Sequence, residues 1–231
     1  MDISIIIPTY NEAENIPILV DEIAKNLKED YELIVVDDDS PDKTWQIAEK
    51  LKEKYPLNVL RRINKKGLSS AVLDGLAIAK GNILGVIDAD LSHPPEKIPE
   101  LINAIREGSD FVIGSRLIKG GKVEDWPFHR KFVSWGARIL ARPLTPIKDI
   151  MSGFFFIKKE VIENKKFKPH GYKIALEILI KGNYNKTKEI PIIFRNRQLG
   201  QSKLSVKIQL EYLYQLLDLY MYKLKKLFHV K

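Results

Sequence analysis

The 231-residue sequence contains no cysteine, which excludes a disulfide scaffold and a thiolate metal site and suits a reducing compartment. It also lacks any apolar run approaching the roughly 18–20 residues that span a bilayer, so membrane contact is expected to be peripheral. The opening MDISIIIPTY places an acid where a secretory leader needs positive charge, and its apolar run is only Ile3 to Ile7 around Ser4; it reads as a strand. No G-x-G-x-x-G follows that strand, which argues against a dinucleotide-binding unit because no glycine admits a pyrophosphate at the first turn. Internal repeats and low-complexity tracts are absent too. What remains is a chain with 45% hydrophobic residues, enough to bury a substantial core as one large domain or one domain with an appendage.

The formal charge of +8 is unevenly spread. Residues 1–100 carry 12 Lys and Arg against 19 Asp and Glu, a net of −7, whereas residues 101–231 carry 26 against 11, a net of +15. Such asymmetry points the second half at phosphates, of a nucleotide, a nucleic acid or a lipid surface. An ordinary lysine-rich surface is the other reading.

Short β-branched runs at 3–7, 32–37, 57–61, 83–88 and 110–114 alternate with segments of helical period near 13–28, 43–54, 69–79 and 96–107. That order predicts an α/β fold, a mostly parallel sheet covered on both faces with ligands bound beyond the carboxyl ends of its strands. Asp37, Asp38 and Asp39 close the second run, and Asp88 and Asp90 the fourth. After about residue 115 the alternation fails, which signals added acceptor-side elements or an antiparallel edge. There MSGFFFIKK reads as a strand, 172–182 as a helix and EIPIIF as a strand end. The last segment is helical in period, with Ile208, Leu213, Leu216, Leu217, Tyr220, Leu224 and Leu227 near one face.

An extended Asp88-Ala89-Asp90 points both carboxylates to one side, because side chains in a strand repeat every second residue. Two like charges so close call for a cation, and hard oxygen ligands suit Mg²⁺ or Mn²⁺ completed by substrate phosphates and water. A solvated strand end, or a helix start capped by Asp90 or Ser92, is the alternative. In PTYNEAENI, Pro8 and Tyr10 are placed to wall a base, and Glu12 with Asp38 to accept hydrogen bonds from its edge or from ribose. Asn11 or Glu12 opening the first helix explains the same residues. Lys66-Gly67-Leu68-Ser69-Ser70 reads as the opening of the third helix, by anion binding or plain capping.

Taken in order, PTYNE, VVDDDSPD, KKGLSSAV, DADLSHPP, GSR, GGKVEDWPFHRK, MSGFF and GQSKL resemble the polyprenyl-phosphate (dolichyl-phosphate) mannose synthases of glycosyltransferase family 2, over residues 1 to about 205. The resemblance implies a GT-A-type, Rossmann-like mixed sheet flanked by helices. It implies a catalytic domain over 1–205, with a nucleotide-sugar half (1–115) and an acceptor half (116–205), followed by an amphipathic helix over 206–231 without a transmembrane segment. The implied reaction is inverting transfer of mannose from GDP-mannose to a polyprenyl phosphate, with divalent Mg²⁺ or Mn²⁺.

Carried over residue by residue, Pro8, Tyr10, Glu12, Val36 and Asp38 hold the guanosine, and Asp88, Ala89 and Asp90 lie against the ribose and diphosphate. Asp90 is the main metal ligand, and Asp88 a further candidate. Ser92 stands where the family usually has Gln, so its shorter hydroxyl reaches a metal directly or through water. Arg116 and Arg130 pair on the acceptor phosphate, because guanidinium forks bind phosphate bidentately. Arg197 and Lys203 close over the donor diphosphate. Asp149, in D-I-M-S-G-F where the family reads D-P-x-S-G-F, hydrogen-bonds the sugar, although a strand-entry turn explains the same residues.

A lipid acceptor implies association with the cytoplasmic face of a membrane; many relatives continue into transmembrane helices, and a membrane-embedded partner protein is a further expectation. PFHRKFVSWGARILARPL and the Tyr-rich tail, both basic with interleaved aromatics, suit a membrane interface. For the tail, docking on the domain or on a second subunit is the alternative. The nearest other activity is transfer of glucose from UDP-glucose to the same acceptor class. A non-catalytic basic protein on nucleic acid or membrane has no use for acids gathered at strand ends, so no nucleic-acid partner is expected.

Overall fold

The computed structural model describes residues 2–124, 128–168, 173–195 and 206–228; within these, the side chains of 128–133 and 206–208 are not described. Strands β1 (Ile3–Thr9) and β2 (Tyr31–Asp37), joined by helix α1 (Asn15–Asn26), are buried at every residue, as expected of unbroken apolar runs in a parallel sheet. Helix α2 (Thr44–Leu51), strand β3 (Leu57–Arg61), helix α3 (Leu68–Ile78) and strand β4 (Ile83–Val86) continue the alternation. Pro95 opens a short 3₁₀ turn that leads into α4 (Ile98–Arg106), as its fixed φ and missing N–H favour at a helix start. Strand β5 (Phe111–Ser115) follows.

Beyond Ser115 come β6 (Lys122–Val123), α5 (Phe128–Ala141), β7 (Phe155–Lys158), α6 (Ile174–Lys181), β8 (Thr187–Pro191), β9 (Ile193–Phe194) and α7 (Val206–Phe228). The main sheet has the order β3-β2-β1-β4-β7-β5-β8. Its mixed character comes from β7, which enters antiparallel between β4 and β5. The expected strand ending in EIPIIF is two strands: β8 runs parallel to β5, and after Ile192 the chain leaves to pair β9 with β6. Chain direction on the sheet reverses across β1 and β4, which both run parallel but connect to opposite sides, creating the crevice where open α/β sheets bind ligands.

Two apolar layers sandwich the sheet. Ile6 belongs to one buried cluster with Val72 of α3, Leu176 of α6 and Leu219 of α7, and Ile5 and Ile7 to the other with Leu19 of α1 and Leu101 of α4. Helix α7 thus docks on the domain. Its Tyr212 hydroxyl donates to Ala137 O at 2.8 Å and its Tyr220 hydroxyl to Leu140 O at 2.6 Å, tying α7 to the last turns of α5. Lys181 of α6, buried, lies 2.6 Å from Glu177 and 3.8 Å from Asp218 of α7. The single apolar face expected for this helix is divided. Leu216 turns inward with Tyr212 and Leu219, whereas Leu213, Leu217, Leu224 and Leu227 are exposed, together with Leu210, Tyr214, Met221 and Phe228. No described helix is long and apolar enough to cross a membrane.

Phe111 and Phe155 stack at 5.5 Å across β5 and β7, and Phe156 lies over Gly85 of β4 so closely that a Cβ there would overlap its ring. Gly85→Ala should therefore cost about 1–3 kcal/mol by overpacking, read as a lower urea midpoint with an unchanged m-value.

Candidate functional site

The carboxyl edge of β1 and β2 is built by hydrogen bonds to acids that emerge from buried strands. Asp37, fully buried, accepts from Thr9 Oγ1 at 2.9 Å, Ser40 N at 2.8 Å and Ser40 Oγ at 2.6 Å, so it is a structural clamp on the strand ends. The Ser40 hydroxyl accepts in turn from Asn11 N at 3.0 Å, and Thr44 Oγ1 from Glu12 N at 2.9 Å. The PTYNE and DDDSPD loops are thereby one unit. Glu12 lies before α1 and its carboxylate accepts from Asn15 Nδ2 at 2.7 Å. Tyr10 carries Lys66 Nζ 5.1 Å above its ring. Pro8 faces Val36 in the β1–β2 register; both are buried.

Asp38 is held by a residue that the sequence reading passed over. Arg62, with 2% of its side chain exposed, binds Asp38 Oδ1 at 2.6 Å and reaches Asp74 Oδ2 at 3.1 Å and Ser70 Oγ at 3.0 Å. The other Asp38 oxygen accepts from Gly67 N at 2.8 Å. This fixes the start of α3, where Gly67 at φ 137° is the cap and no side chain caps the helix. The signal was legible: a guanidinium directly after strand β3, in the VLRRI run, beside a strand that ends in three aspartates. Asp39 pairs with Arg61 at the surface.

Beyond β4 the chain turns instead of extending. The strand ends at Val86, Ala89 and Asp90 sit in a turn, and Leu91 has a left-handed φ of 58°. The two carboxylates therefore differ in environment. Asp90 is buried and accepts from Ser92 N at 3.0 Å. Asp88, with 32% of its side chain exposed, lies 3.3 Å from His93 Nε2. It also lies so near Gly153 that a Cβ there would meet Oδ2 at 2.7 Å; glycine in the SGF turn is what admits the carboxylate. His93, another residue missed in the sequence, is 1% exposed and packs against Phe154 at 5.4 Å and edge-on to Phe194 at 5.0 Å. Ala89 is buried in the core.

Among the described residues no three His, Asp or Glu side chains form a ready metal cage. The turn does offer oxygen donors suited to a hard cation: the Asp90 and Asp88 carboxylates and the Ser92 hydroxyl, buried without a hydrogen-bond partner. An orphaned buried hydroxyl is costly unless something fills it. That donor set fits a divalent ion that draws its remaining ligands from a diphosphate and water.

Arg116 and Asp149 meet each other. The guanidinium forks onto the carboxylate, Nε to Oδ2 at 2.7 Å and NH2 to Oδ1 at 2.7 Å, and Arg116 N adds a third bond at 2.8 Å. Burial opposes charge on Asp149, yet the Arg116 hydrogen bonds and charge, with Lys173 farther off, hold its carboxyl below the ordinary 3.8. Phe194 packs 5.1 Å from the Arg116 guanidinium and edge-on to His93, so the acid-bearing turn and the arginine fork converge on one ring. Arg195 N donates to Ser92 O at 3.0 Å, which holds the chain just after β9 against the turn; the sequence candidates Arg197 and Lys203 come next. Those two residues lie outside the described residues. Arg130 falls in the first turn of α5, and its side chain is not described.

Asp149→Asn leaves a buried guanidinium short of its counter-charge and should cost about 3–5 kcal/mol, measured by urea unfolding near neutral pH. Because the folded carboxyl titrates below its unfolded value, the pair's contribution is full above that value and is lost as pH falls through the folded one. The wild-type and Asn stabilities should accordingly converge in strong acid; a gap independent of pH would contradict the pair.

The model of the family described as "Glycosyl transferase family 2" matches residues 4–164. A dolichol-phosphate mannosyltransferase of Pyrococcus furiosus is 54% identical over 218 residues, 92% of this chain and 62% of that protein, so the chain spans under two thirds of this relative's length. Its namesake from Saccharomyces cerevisiae is 39% identical over 96% of this chain and 88% of its own. Among solved structures, glucosyl-3-phosphoglycerate synthase from Mycobacterium tuberculosis with Mn²⁺, UDP and glucosyl-3-phosphoglycerate shares the fold at a TM-score of 0.69 and 21% identity, over 95% of this chain and 78% of that one. On the family match and the relatives that it covers most fully, the chain belongs to glycosyltransferase family 2.

Proposed function

We propose that this chain transfers mannose from GDP-mannose to a polyprenyl (dolichyl) phosphate with inversion at the anomeric carbon. The observation that carries the reading is the convergence on Phe194: His93, from the oxygen-donor turn suited to a diphosphate, and Arg116, a carboxylate-held guanidinium suited to a phosphate, both meet its ring. The mannosyltransferase names of the relatives support the sugar and the acceptor.

A phosphate monoester has a second pKa of about 6, so the acceptor is mostly a dianion at neutral pH and needs no strong general base. One of its oxygens attacks the anomeric carbon as the bond to the donor's β-phosphate oxygen breaks, and GDP leaves with the electron pair. The residues' task is to bring two anions together in line. Asp149 fixes the plane of Arg116, which with Arg130 receives the acceptor phosphate. Pro8, Tyr10, Glu12, Val36 and Asp38 hold the guanosine, Arg62 keeping Asp38 in place. Arg197 and Lys203 close over the diphosphate from the segment that follows Arg195. Asp90, Asp88 and Ser92 would hold the divalent Mg²⁺ or Mn²⁺, which when bound supplies positive charge to the departing diphosphate. The Mn²⁺ in the fold neighbour's complex supports that assignment.

Residues 1–205 act in this reading as the catalytic domain, working at the cytoplasmic face of a membrane beside a membrane-embedded partner. The exposed stripe of α7, Leu210, Leu213, Leu217, Met221 and Leu224, supports contact with the lipid surface. Removing the whole helix would uncover the core beneath Leu216 and Leu219, so the stripe is tested by substitution. Leu217→Gln with Leu224→Gln should weaken vesicle flotation severalfold while leaving thermal stability unchanged; unaltered flotation would count against membrane contact.

Labelled GDP-mannose and UDP-glucose offered with a polyprenyl phosphate should give an organic-extractable, metal-dependent product from GDP-mannose alone. Label from UDP-glucose instead would favour the glucosyl reading. Asp90→Asn, folded by circular dichroism, should lose at least about a hundredfold in rate, the scale of removing one electrostatic stabiliser.

A further inference from the structure

A cavity of about 330 Å³ opens beside α5 and the loop that carries Asp149. Trp135, Ile139, Ile147 and Ile150 give it apolar walls, and Leu117, the residue after Arg116, closes one side. Three cations line the same space: Arg138, Arg142 and Lys148; no acid does. Arg138 and Arg142 stand one helical turn apart and so lie on one edge of the segment. Their described hydrogen bonds go only to backbone carbonyls, Arg138 Nε to Ser134 O at 3.2 Å and Arg142 NH1 to Pro146 O at 3.2 Å.

The contrast with other guanidinium groups is informative. Arg61, Arg62, Arg106, Arg116 and Arg195 each lie against a carboxylate. Among the described residues, the cavity's three cations have no such partner. Low-dielectric walls beside uncompensated positive charge strengthen attraction for an anion. Inorganic phosphate would answer the charge but would leave Trp135 and Ile139, 51% and 49% exposed, facing water. A molecule with an anionic head and an apolar body answers both.

We propose that this cavity seats the phosphate headgroup of an acidic phospholipid, with the upper part of an acyl chain against Trp135 and Ile139. The site rests on the membrane reading above and deepens it: one bound lipid would pin the domain to the bilayer one residue along the chain from Arg116, next to where the acceptor phosphate is received. Membrane attachment would then respond to lipid charge at a defined place and not merely to the basic surface at large.

The test is flotation of the full chain with phosphatidylcholine vesicles, with and without phosphatidylglycerol, for the wild type, Arg138→Gln/Arg142→Gln and a control, Lys50→Gln/Lys54→Gln. The wild type should prefer the acidic vesicles. The cavity variant should lose about tenfold or more of that preference, the scale expected for two cations near an anionic surface, and the control should keep it. Equal loss in both variants, or none in the cavity variant, overturns the site. Displacement by millimolar inorganic phosphate would make it a free-phosphate site and overturn the lipid. Mannose transfer to a short-chain acceptor in detergent should be unchanged in the cavity variant; its loss would merge the cavity with the acceptor site and also overturn the proposal. A wild type that transfers no mannose yet keeps a cavity-dependent lipid preference would refute the transferase reading and leave this one standing.

Discussion

The molecule is organised by carboxylates that must be buried at the carboxyl edge of its sheet. Asp37, Asp38, Asp90 and Asp149 are between 0% and 6% exposed, and an ionised carboxylate in such a place is costly unless hydrogen bonds or a counter-charge meet it. Each is met differently. Two hydroxyls and an amide hold Asp37, and Arg62 and Arg116 answer Asp38 and Asp149. Those solutions tie the PTYNE loop to the DDDSPD loop, the start of α3 to β2, and the entry of β7 to the exit of β5. In the turn of Asp90 the buried Ser92 hydroxyl lacks a hydrogen-bond partner among the described residues. That hydroxyl, with the Asp88 and Asp90 carboxylates, is an oxygen-donor set of the kind that suits a hard cation.

The first half of this fold was legible because β1 and β2, buried on both sides, leave long β-branched runs that need no partner to be recognised. The second half was not, since β7 earns its place through pairing: PhePhePhe says that a segment is buried, not that it enters antiparallel between β4 and β5. The division of EIPIIF at Ile192 was hidden for the same reason, both pieces being apolar and their partners lying some 70 residues upstream. For α7, a helical period found the element but not its two apolar faces, because leucines facing the core and leucines facing outward look alike in sequence.

At the site, acids were easier to find than the groups that answer them. Asp38, Asp90 and Asp149 stand out in motifs, whereas Arg62 is marked only by its place directly after β3, and His93 is an ordinary letter until the fold brings it alongside Asp88. The chain turns at Ala89 and Asp90 where an extended Asp88-Ala89-Asp90 is expected. Leu91 takes a left-handed φ, uncommon outside glycine and asparagine, and nothing in the residue types announces it. Arg116 and Asp149 were assigned separately to acceptor and sugar, whereas 2.7 Å bonds make them one group.

That pairing changes how the basic second half is to be understood. A surplus of +15 over residues 101–231 looks like a uniform attraction for phosphate, yet among the described residues its guanidinium groups divide into those already bound to carboxylates and those that are not. A paired guanidinium is neutralised at long range and acts by position; an unpaired one over apolar walls acts by field. Arg116 belongs to the first kind, Arg138 and Arg142 to the second. In the proposed function, steering of an anionic surface toward the domain would fall to the unpaired set and alignment of the acceptor phosphate to the paired one, and salt should weaken the first well before the second.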